Sequence, residues 1–234
     1  MNQYLSYILI HIDKAPKQID PDFNFQRYMG TGHTFLGIPT IPKRQIARDF
    51  KKKFPDISPK ELFTTLDALY QGKTFEEKTL ASEILAQYKI YFDCLEKRHF
   101  QTWLRQLEGW AEIDTLCQST FNSIFFLSDW KKWESMFLNF AKSKNIQERR
   151  ASLVLLCKPL RESSDIRLRD IAVKNIQTLQ KEKNILITKA ISWVLREMIK
   201  HHKNFVTDFL DANTDSLPKI ALRETRKKLL TGKK

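Results

Sequence analysis

Apolar residues return every three or four positions through most of the chain, the interval that places them on one face of an α-helix. The segment LITKAISWVLREMI shows it most clearly. At about 100° per residue, Ile187, Ala190, Ile191, Val194, Leu195 and Met198 share one broad sector, which the pattern assigns to the core. Helical patterns also run through KRQIARDFKKKF, SPKELFTTLDALYQG, FEEKTLASEILAQYKIYF, HFQTWLRQLEG, WAEIDTLCQSTFNSIFFL, DWKKWESMFLNFAKS, IQERRASLVLLCKPL, DIRLRDIAVKNIQTLQ, NFVTDFLDA and SLPKIALRETRKKLL. Residues 1–28 carry a further helix, a break at IDPDF and a segment leading into Tyr28. Ser58, Pro59 and Glu61 spell a helix start, with a capping hydroxyl, a proline at the first helical position and a glutamate three residues after the cap. Residues 30–42, GTGHTFLGIPTIP, hold three glycines and two prolines and read as a loop. No segment reads as a convincing strand.

Helices of this length joined by short connections predict an all-α helical-repeat solenoid. Its period shows in the large, polar-tipped residues. Trp110 to Arg150 is 40 residues, Arg150 to Trp193 is 43, and Tyr28 to Trp110 is 82, close to two such steps. HEAT-type units repeat at roughly 40 to 47 residues. The expectation is one domain over residues 1–234, a HEAT-like superhelix in which Tyr28, Trp110, Arg150 and Trp193 take equivalent positions along the concave face, where a solenoid binds its partner.

Helix phase singles out the same residues. Trp193 falls outside the core sector of its helix, on the side of Lys189, Arg196 and Lys200. Two readings stand: an aromatic ringed by cations for contact with a phosphate–sugar backbone, or a tryptophan covered by a neighbouring helix. In GWAEID, Trp110 and Asp114 stand one turn apart on one helix face. They lie at the shoulder of a core stripe of Ile113, Leu116, Cys117 and Ile124, and Arg150 lies at a comparable shoulder, three residues before Leu153. Taken alone, Asp114 reads as a structural hydrogen-bonding or ion-pairing group.

Charge changes that picture. Forty Lys and Arg against 27 Asp and Glu leave a formal charge of +13 on 234 residues. Such an excess favours a polyanionic partner, nucleic acid first, the other reading being a solvated basic surface without one. The closing RETRKKLLTGKK, with six cations and one acid, reads both as a solvated helix face and as a phosphate-binding patch. Cys94, Cys117 and Cys157 are odd in number and lack metal-ligand or CxxC spacing, so neither disulfides nor a metal site is expected. The apolar YLSYILIHI is too short to span a bilayer and reads as the first core helix of a cytoplasmic protein with no membrane partner. Phosphate-loop, nucleophile-turn and HExxH motifs are absent. His33 reads as structural, and His201 and His202 as dipole partners at an exposed helix C-terminus.

The segments YMGTGHTFLGIPTIPKRQ, GWAEIDTL, QERRASLVLL and LITKAISWVLREM, in this order and spacing, resemble the AlkD-type DNA alkylation repair glycosylases, and the resemblance covers nearly the whole chain. It implies a HEAT-like superhelix that acts without a cofactor, as a monomer at the nucleoid, and removes cationic N3- and N7-alkylated purines from double-stranded DNA. It assigns Asp114 as the catalytic carboxylate, Arg150 as the DNA-contacting arginine, with Arg149 beside it as the other candidate for the phosphate contact, and Tyr28, Trp110 and Trp193 as the aromatic cleft, flanked by Lys189 and Arg196. The family often carries a second aromatic immediately before the residue that Trp110 matches. Here that position is Gly109, a departure in cleft shape rather than in chemistry.

On this resemblance the Trp110–Asp114 pair acquires a chemical reading. A purine alkylated at N3 or N7 already carries positive charge and departs as a neutral base, so no acid is needed. The sugar becomes oxocarbenium-like as the bond breaks, and a carboxylate beside it stabilises that charge and orients a water. Trp110 and Trp193 would pack their ring faces around the cationic sugar, and Arg150 would hold a phosphate. The resemblance further implies that the lesion stays stacked rather than being flipped into a pocket. Two other classes remain open: a noncatalytic helical-repeat module for nucleic acid, and a protein–protein scaffold.

Overall fold

The computed structural model describes residues 2–233, and Lys234 of the basic C-terminal segment lies outside them. Among the described residues there are thirteen α-helices, one 3-10 helix and no strand, only an isolated parallel bridge between Thr34 and Thr74. No helix is long and apolar enough to cross a membrane. The chain divides into two compact units, residues 1–120 and 121–234.

The first unit contains α1 (Gln3–Lys14), α2 (Phe25–Met29), α3 (Thr40–Lys53), α4 (Pro59–Gln71), α5 (Phe75–Leu85), a 3-10 helix (Lys89–Cys94), α6 (Lys97–Leu104) and α7 (Ala111–Ser119). Helix α5 is its centre, packed on α3, α4 and α7. A helix covered on several sides cannot be amphipathic, and α5 buries Glu76, Lys78, Thr79 and Ser82 along with Phe75, Leu80, Ala81, Ile84 and Leu85. The helix start at Ser58 forms as its residues dictate. Ser58 Oγ accepts the Glu61 N–H at 3.3 Å, and the Glu61 carboxylate accepts the Ser58 N–H at 3.2 Å. Thr74 and Glu77 build the same box at the start of α5.

The second unit contains α8 (Ser123–Ser128), α9 (Trp130–Ala141), α10 (Ile146–Glu162), α11 (Ile166–Leu179), α12 (Ile185–Ala212) and α13 (Lys219–Thr231). Here α10 is central, in contact with α8, α9, α11 and α12. The stripe Ile187, Ala190, Ile191, Val194, Leu195 and Met198 is fully buried, as its periodicity requires.

Several boundaries differ from the sequence reading, and the helical pattern through FEEKTLASEILAQYKIYF is divided, α5 ending at Leu85 and the 3-10 helix following from Lys89. The loop ends at Pro39 rather than residue 42, because Pro42 falls in the first turn of α3, where a missing N–H costs no hydrogen bond. WAEIDTLCQSTFNSIFFL is two helices, since Asn122 caps a new start by accepting the Phe125 N–H at 2.9 Å. The break rotates the phase, so Ile124, expected in the core with Ile113, Leu116 and Cys117, is 74% exposed while those three are buried. The last correction is at His202, which is not a C-terminus: φ −132° and ψ 41° there kink a continuous α12. His201 does face helix-end carbonyls, but those of α10, with Nε2 3.2 Å from the Arg161 oxygen. Burial and the nearby Arg169 hold the His202 pKa below the ordinary histidine value.

In the second unit α13 is pinned to α12 through Arg196, whose guanidinium bonds both Ser192 Oγ and the Glu224 carboxylate. Partial burial alone pushes the Glu224 carboxyl up, but the Ser192 hydrogen bond and the Arg196 charge outweigh it, and its pKa lies below the ordinary glutamate value. The pair therefore stabilises the fold above the unfolded-state pKa of glutamate and ceases to do so as pH falls through the folded value. Glu224→Ala strands the buried Arg196 and should lower unfolding free energy by about 2 kcal/mol in urea titrations at neutral pH. The gap to wild type should shrink below about pH 4.

Candidate nucleic-acid interface

The aromatic and acidic residues around GWAEID are held by an unusual junction in the first unit. Helix α2 is only five residues long. Asn24 caps its start by accepting the Arg27 N–H at 2.9 Å, and Gly30 ends it in the left-handed region at φ 71°. Gly109 lies directly on this end with φ +63°, and a Cβ there would stand 2.0 Å from the Met29 oxygen. Only glycine satisfies both conditions. This close approach lets Trp110 use both of its donors on consecutive α2 carbonyls, the backbone N–H on Met29 at 3.1 Å and the indole Nε1–H on Tyr28 at 3.0 Å. The Tyr28 ring, 59% exposed, meets the Trp110 ring edge-on at 5.7 Å and 83°.

Asp114 is one turn along. Its N–H donates to the Trp110 carbonyl at 2.9 Å, which places the two side chains on the same face of α7 at its positive end. Trp110 and Asp114 are both half-buried. Tyr28, Trp110 and Asp114 thus form one cluster, an aromatic corner with a carboxylate beside it.

Beneath this corner two buried glutamates tie down the irregular segment 30–39. Glu112, 1% exposed, accepts from Thr31 Oγ1 at 2.7 Å, from His33 Nδ1 at 2.9 Å and from the Glu108 N–H at 2.8 Å. Glu108 in turn accepts the Gly32 N–H at 2.6 Å. Glu76, fully buried, accepts the N–H groups of Leu36, Gly37 and Ile38 at 3.0 to 3.2 Å. Phe35 from the same segment stacks on Phe25 with ring centres 3.5 Å apart, and Phe75 closes the stack edge-on. Two buried lysines balance the carboxylates. Lys78 donates to the Tyr70 carbonyl at 2.5 Å, and burial lowers its pKa against the opposing pull of Glu112. Lys43 donates to Thr79 at 3.1 Å, its pKa likewise lowered by burial and supported by Glu76. His33 is structural, as its sequence context suggested.

In the second unit the expected residues separate into different roles. Lys189 is exposed and Trp193 half-buried. The indole N–H of Trp193 donates to Glu197 at 3.0 Å, so a carboxylate stands where helix phase had suggested only cations. Arg196 corrects the expectation outright: it is 6% exposed and engaged with Glu224, because α13 packs over that flank of α12. Arg149 is also committed internally, to Glu182 at 2.7 Å and to the carbonyls of Ser143 and Lys144. Arg150, 4% exposed, donates to the Leu186 carbonyl at the start of α12.

Glu112, Glu76 and Lys78 escaped sequence reasoning because a charged residue in a helix reads as a solvated face, and Glu108, in the turn before Trp110, because it is itself exposed. The signal was present in QLEGWAEID, where two carboxylates four apart bracket a glycine beside the loop they bind.

An all-α helical-repeat protein with a strongly basic chain and an exposed aromatic corner beside a carboxylate belongs to the class built to meet nucleic acid. Residues 21–229 match the family model described as DNA alkylation repair enzyme, and the chain belongs to that family. Its fold is similar to that of a predicted DNA alkylation repair enzyme from Enterococcus faecalis, with a TM-score of 0.75 at 21% identity, covering 92% of this chain and 99% of that one. No curated protein matches the chain.

Gly109→Ala should expel the 108–110 turn from α2. Adopting φ > 0 costs about 1–2 kcal/mol for a residue with a Cβ, and the clash with Met29 adds to it. The variant should lose at least about 2 kcal/mol of stability in urea titrations and show altered Trp110 fluorescence.

Proposed function

We propose that this protein is a monofunctional DNA glycosylase of base excision repair, acting as a monomer on duplex DNA to release cationic N3- and N7-alkylated purines. The observation that carries this reading is the corner itself. Trp110 is fixed by both of its N–H groups, Tyr28 stands exposed beside it, and Asp114 follows one turn later on the same face, in a chain of formal charge +13. A carboxylate weakens attraction to phosphate, so a surface meant only to bind DNA gains nothing from one there.

The chemistry follows from charge. The alkylated base leaves as a neutral purine, and the deoxyribose left behind becomes oxocarbenium-like. The Asp114 carboxylate stabilises that developing charge and orients the attacking water. Trp110 cannot donate a hydrogen bond to the substrate, since its indole N–H is held by Tyr28, so it acts through its ring face on the cationic sugar. Proton donation to the base is not required, which fits a corner that holds a carboxylate and no histidine. Arg150, which stands where the family resemblance puts the DNA-contacting arginine, takes the phosphate contact.

Asp114→Asn keeps size and shape but removes the charge. Release of 7-methylguanine from methylated duplex DNA should fall about 100-fold or more, while DNA binding holds or tightens. Asp129→Asn, at an exposed residue in the connection between α8 and α9, should retain full activity. Undiminished excision by Asp114→Asn would refute the carboxylate mechanism. A wild-type protein that binds DNA but releases no base from any alkylated duplex would leave the noncatalytic module.

Binding should also weaken steeply with salt, log K falling by about 0.9 per neutralised phosphate against log[salt]. Fluorescence anisotropy with a duplex probe measures this slope, and a flat response would favour the scaffold. Replacing Arg150 should weaken binding and excision together.

A further inference from the structure

We infer that Glu112, with His33, is a positioning pair for the proposed glycosylase reaction: it sets the aromatic corner from below without touching DNA. The inference rests on the functional reading above for its kinetic consequences, but its geometry stands independently. Glu112 lies two residues from Trp110 on one side and two from Asp114 on the other. Its side chain faces inward, with none of its surface exposed.

Every bond that the carboxylate makes joins α7 to the segment following Tyr28 or to the turn preceding Trp110. Thr31 and His33 are the partners on the α2 side, and the Glu108 N–H is the partner on the α7 side. Glu108 adds a bond to Gly32, and Trp110 adds its own two to Tyr28 and Met29. Residues 28–33 and 108–112 are thereby clasped along their length. Helix α2 has too few turns to hold an orientation unaided, and Tyr28 is largely exposed, so the angle between the Tyr28 and Trp110 rings is set by this clasp.

The clasp is built for rigidity. Thr31 Oγ1 donates to Glu112 while accepting the His33 N–H at 3.1 Å, which leaves His33 Nδ1 to carry a hydrogen toward the carboxylate. A buried carboxylate with several donors on it holds its neighbours far more firmly than one dispersed in water, because the alternative is an unsatisfied charge. The reacting geometry of an electrostatic catalyst depends on such preorganisation, and a displacement of about 1 Å costs up to about 100-fold in rate.

The test uses His33→Ala, Glu112→Ala and Glu112→Gln in the full chain, with Trp indoles labelled with 15N and the Trp110 signal assigned by Trp110→Phe. His33→Ala removes one arm of the clasp. It should shift the Trp110 indole signal and speed its hydrogen exchange. It should also lower single-turnover excision about tenfold or more, with the Kd for duplex DNA unchanged within about twofold. Glu112→Gln keeps the shape and can be matched by a tautomer change at His33, so it should recover most of the rate that Glu112→Ala loses. A folded His33→Ala with wild-type excision and an unmoved indole signal would overturn the inference, as would loss of DNA binding and rate in parallel. If the wild-type protein has no excision activity, the functional reading fails while the indole signals still decide the clasp.

Discussion

A ten-residue stretch without helix or sheet, residues 30–39, has to lie against a helical core, and its backbone donors must find acceptors there. This requirement organises the first unit. Most of its acceptors are side chains: Glu76 takes three consecutive N–H groups and Glu108 takes that of Gly32, while Glu112 holds the segment by the side chains of Thr31 and His33, and the Gln26 and Lys73 carbonyls take the N–H groups of Thr31 and Thr34. Placing carboxylates in the interior is costly unless they are fully bonded and balanced. The burial of Lys43 and Lys78 in the same region follows from that.

The second unit meets the same problem with arginine. Helix α10, packed on several sides, buries Glu148 and Arg150, and α12 buries Arg196. Guanidinium groups suit such positions because their forked donors reach several acceptors at once. Arg149 bonds Glu182 together with two carbonyls that end the preceding segment, and Arg196 bonds Ser192 together with Glu224. A net positive chain is therefore not a uniformly positive surface. Part of its cationic excess is consumed as internal structure, and the cations left for a polyanion are exposed ones such as Lys189, Arg223 and Lys227.

The aromatic corner joins these themes to function. Trp110 is displaced from the core because Gly109 lets the backbone press against α2, and its polar edge is turned inward to cap that helix. With its indole N–H engaged within the protein, what the ring can offer a partner is its electron-rich face, suited to a cation rather than to a hydrogen-bonding base. Beside it, the carboxylate of Asp114 stands in the first turn of α7, at the positive end of the helix dipole. An aromatic face and an anion together favour positive charge, in a protein whose partner is a polyanion. Membership of the DNA alkylation repair enzymes supplies the context in which that combination makes sense, since alkylated bases and the sugars they leave are the cationic features of such DNA.

The sequence by itself determined the all-α class, the core stripe of α12, the capping box at Ser58 and the face shared by Trp110 and Asp114. Each depends on local periodicity or on contacts within a few residues, where helix geometry alone relates position to direction. It could not reveal that Arg196 is buried by α13, that Ile124 is turned outward by a new cap at Asn122, or that Arg149 is committed to Glu182. Those outcomes depend on what packs across a face, and helix phase says only which way a side chain points. The largest omission was the pair of buried glutamates beneath the loop. Glu76 and Glu112 look like ordinary solvated helix positions until residues some 40 and 80 positions away in sequence, Leu36 to Ile38 and Thr31 to His33, are laid against them. Only the tertiary structure brings those donors to the carboxylates, because a hydrogen bond between distant segments leaves no period in the chain.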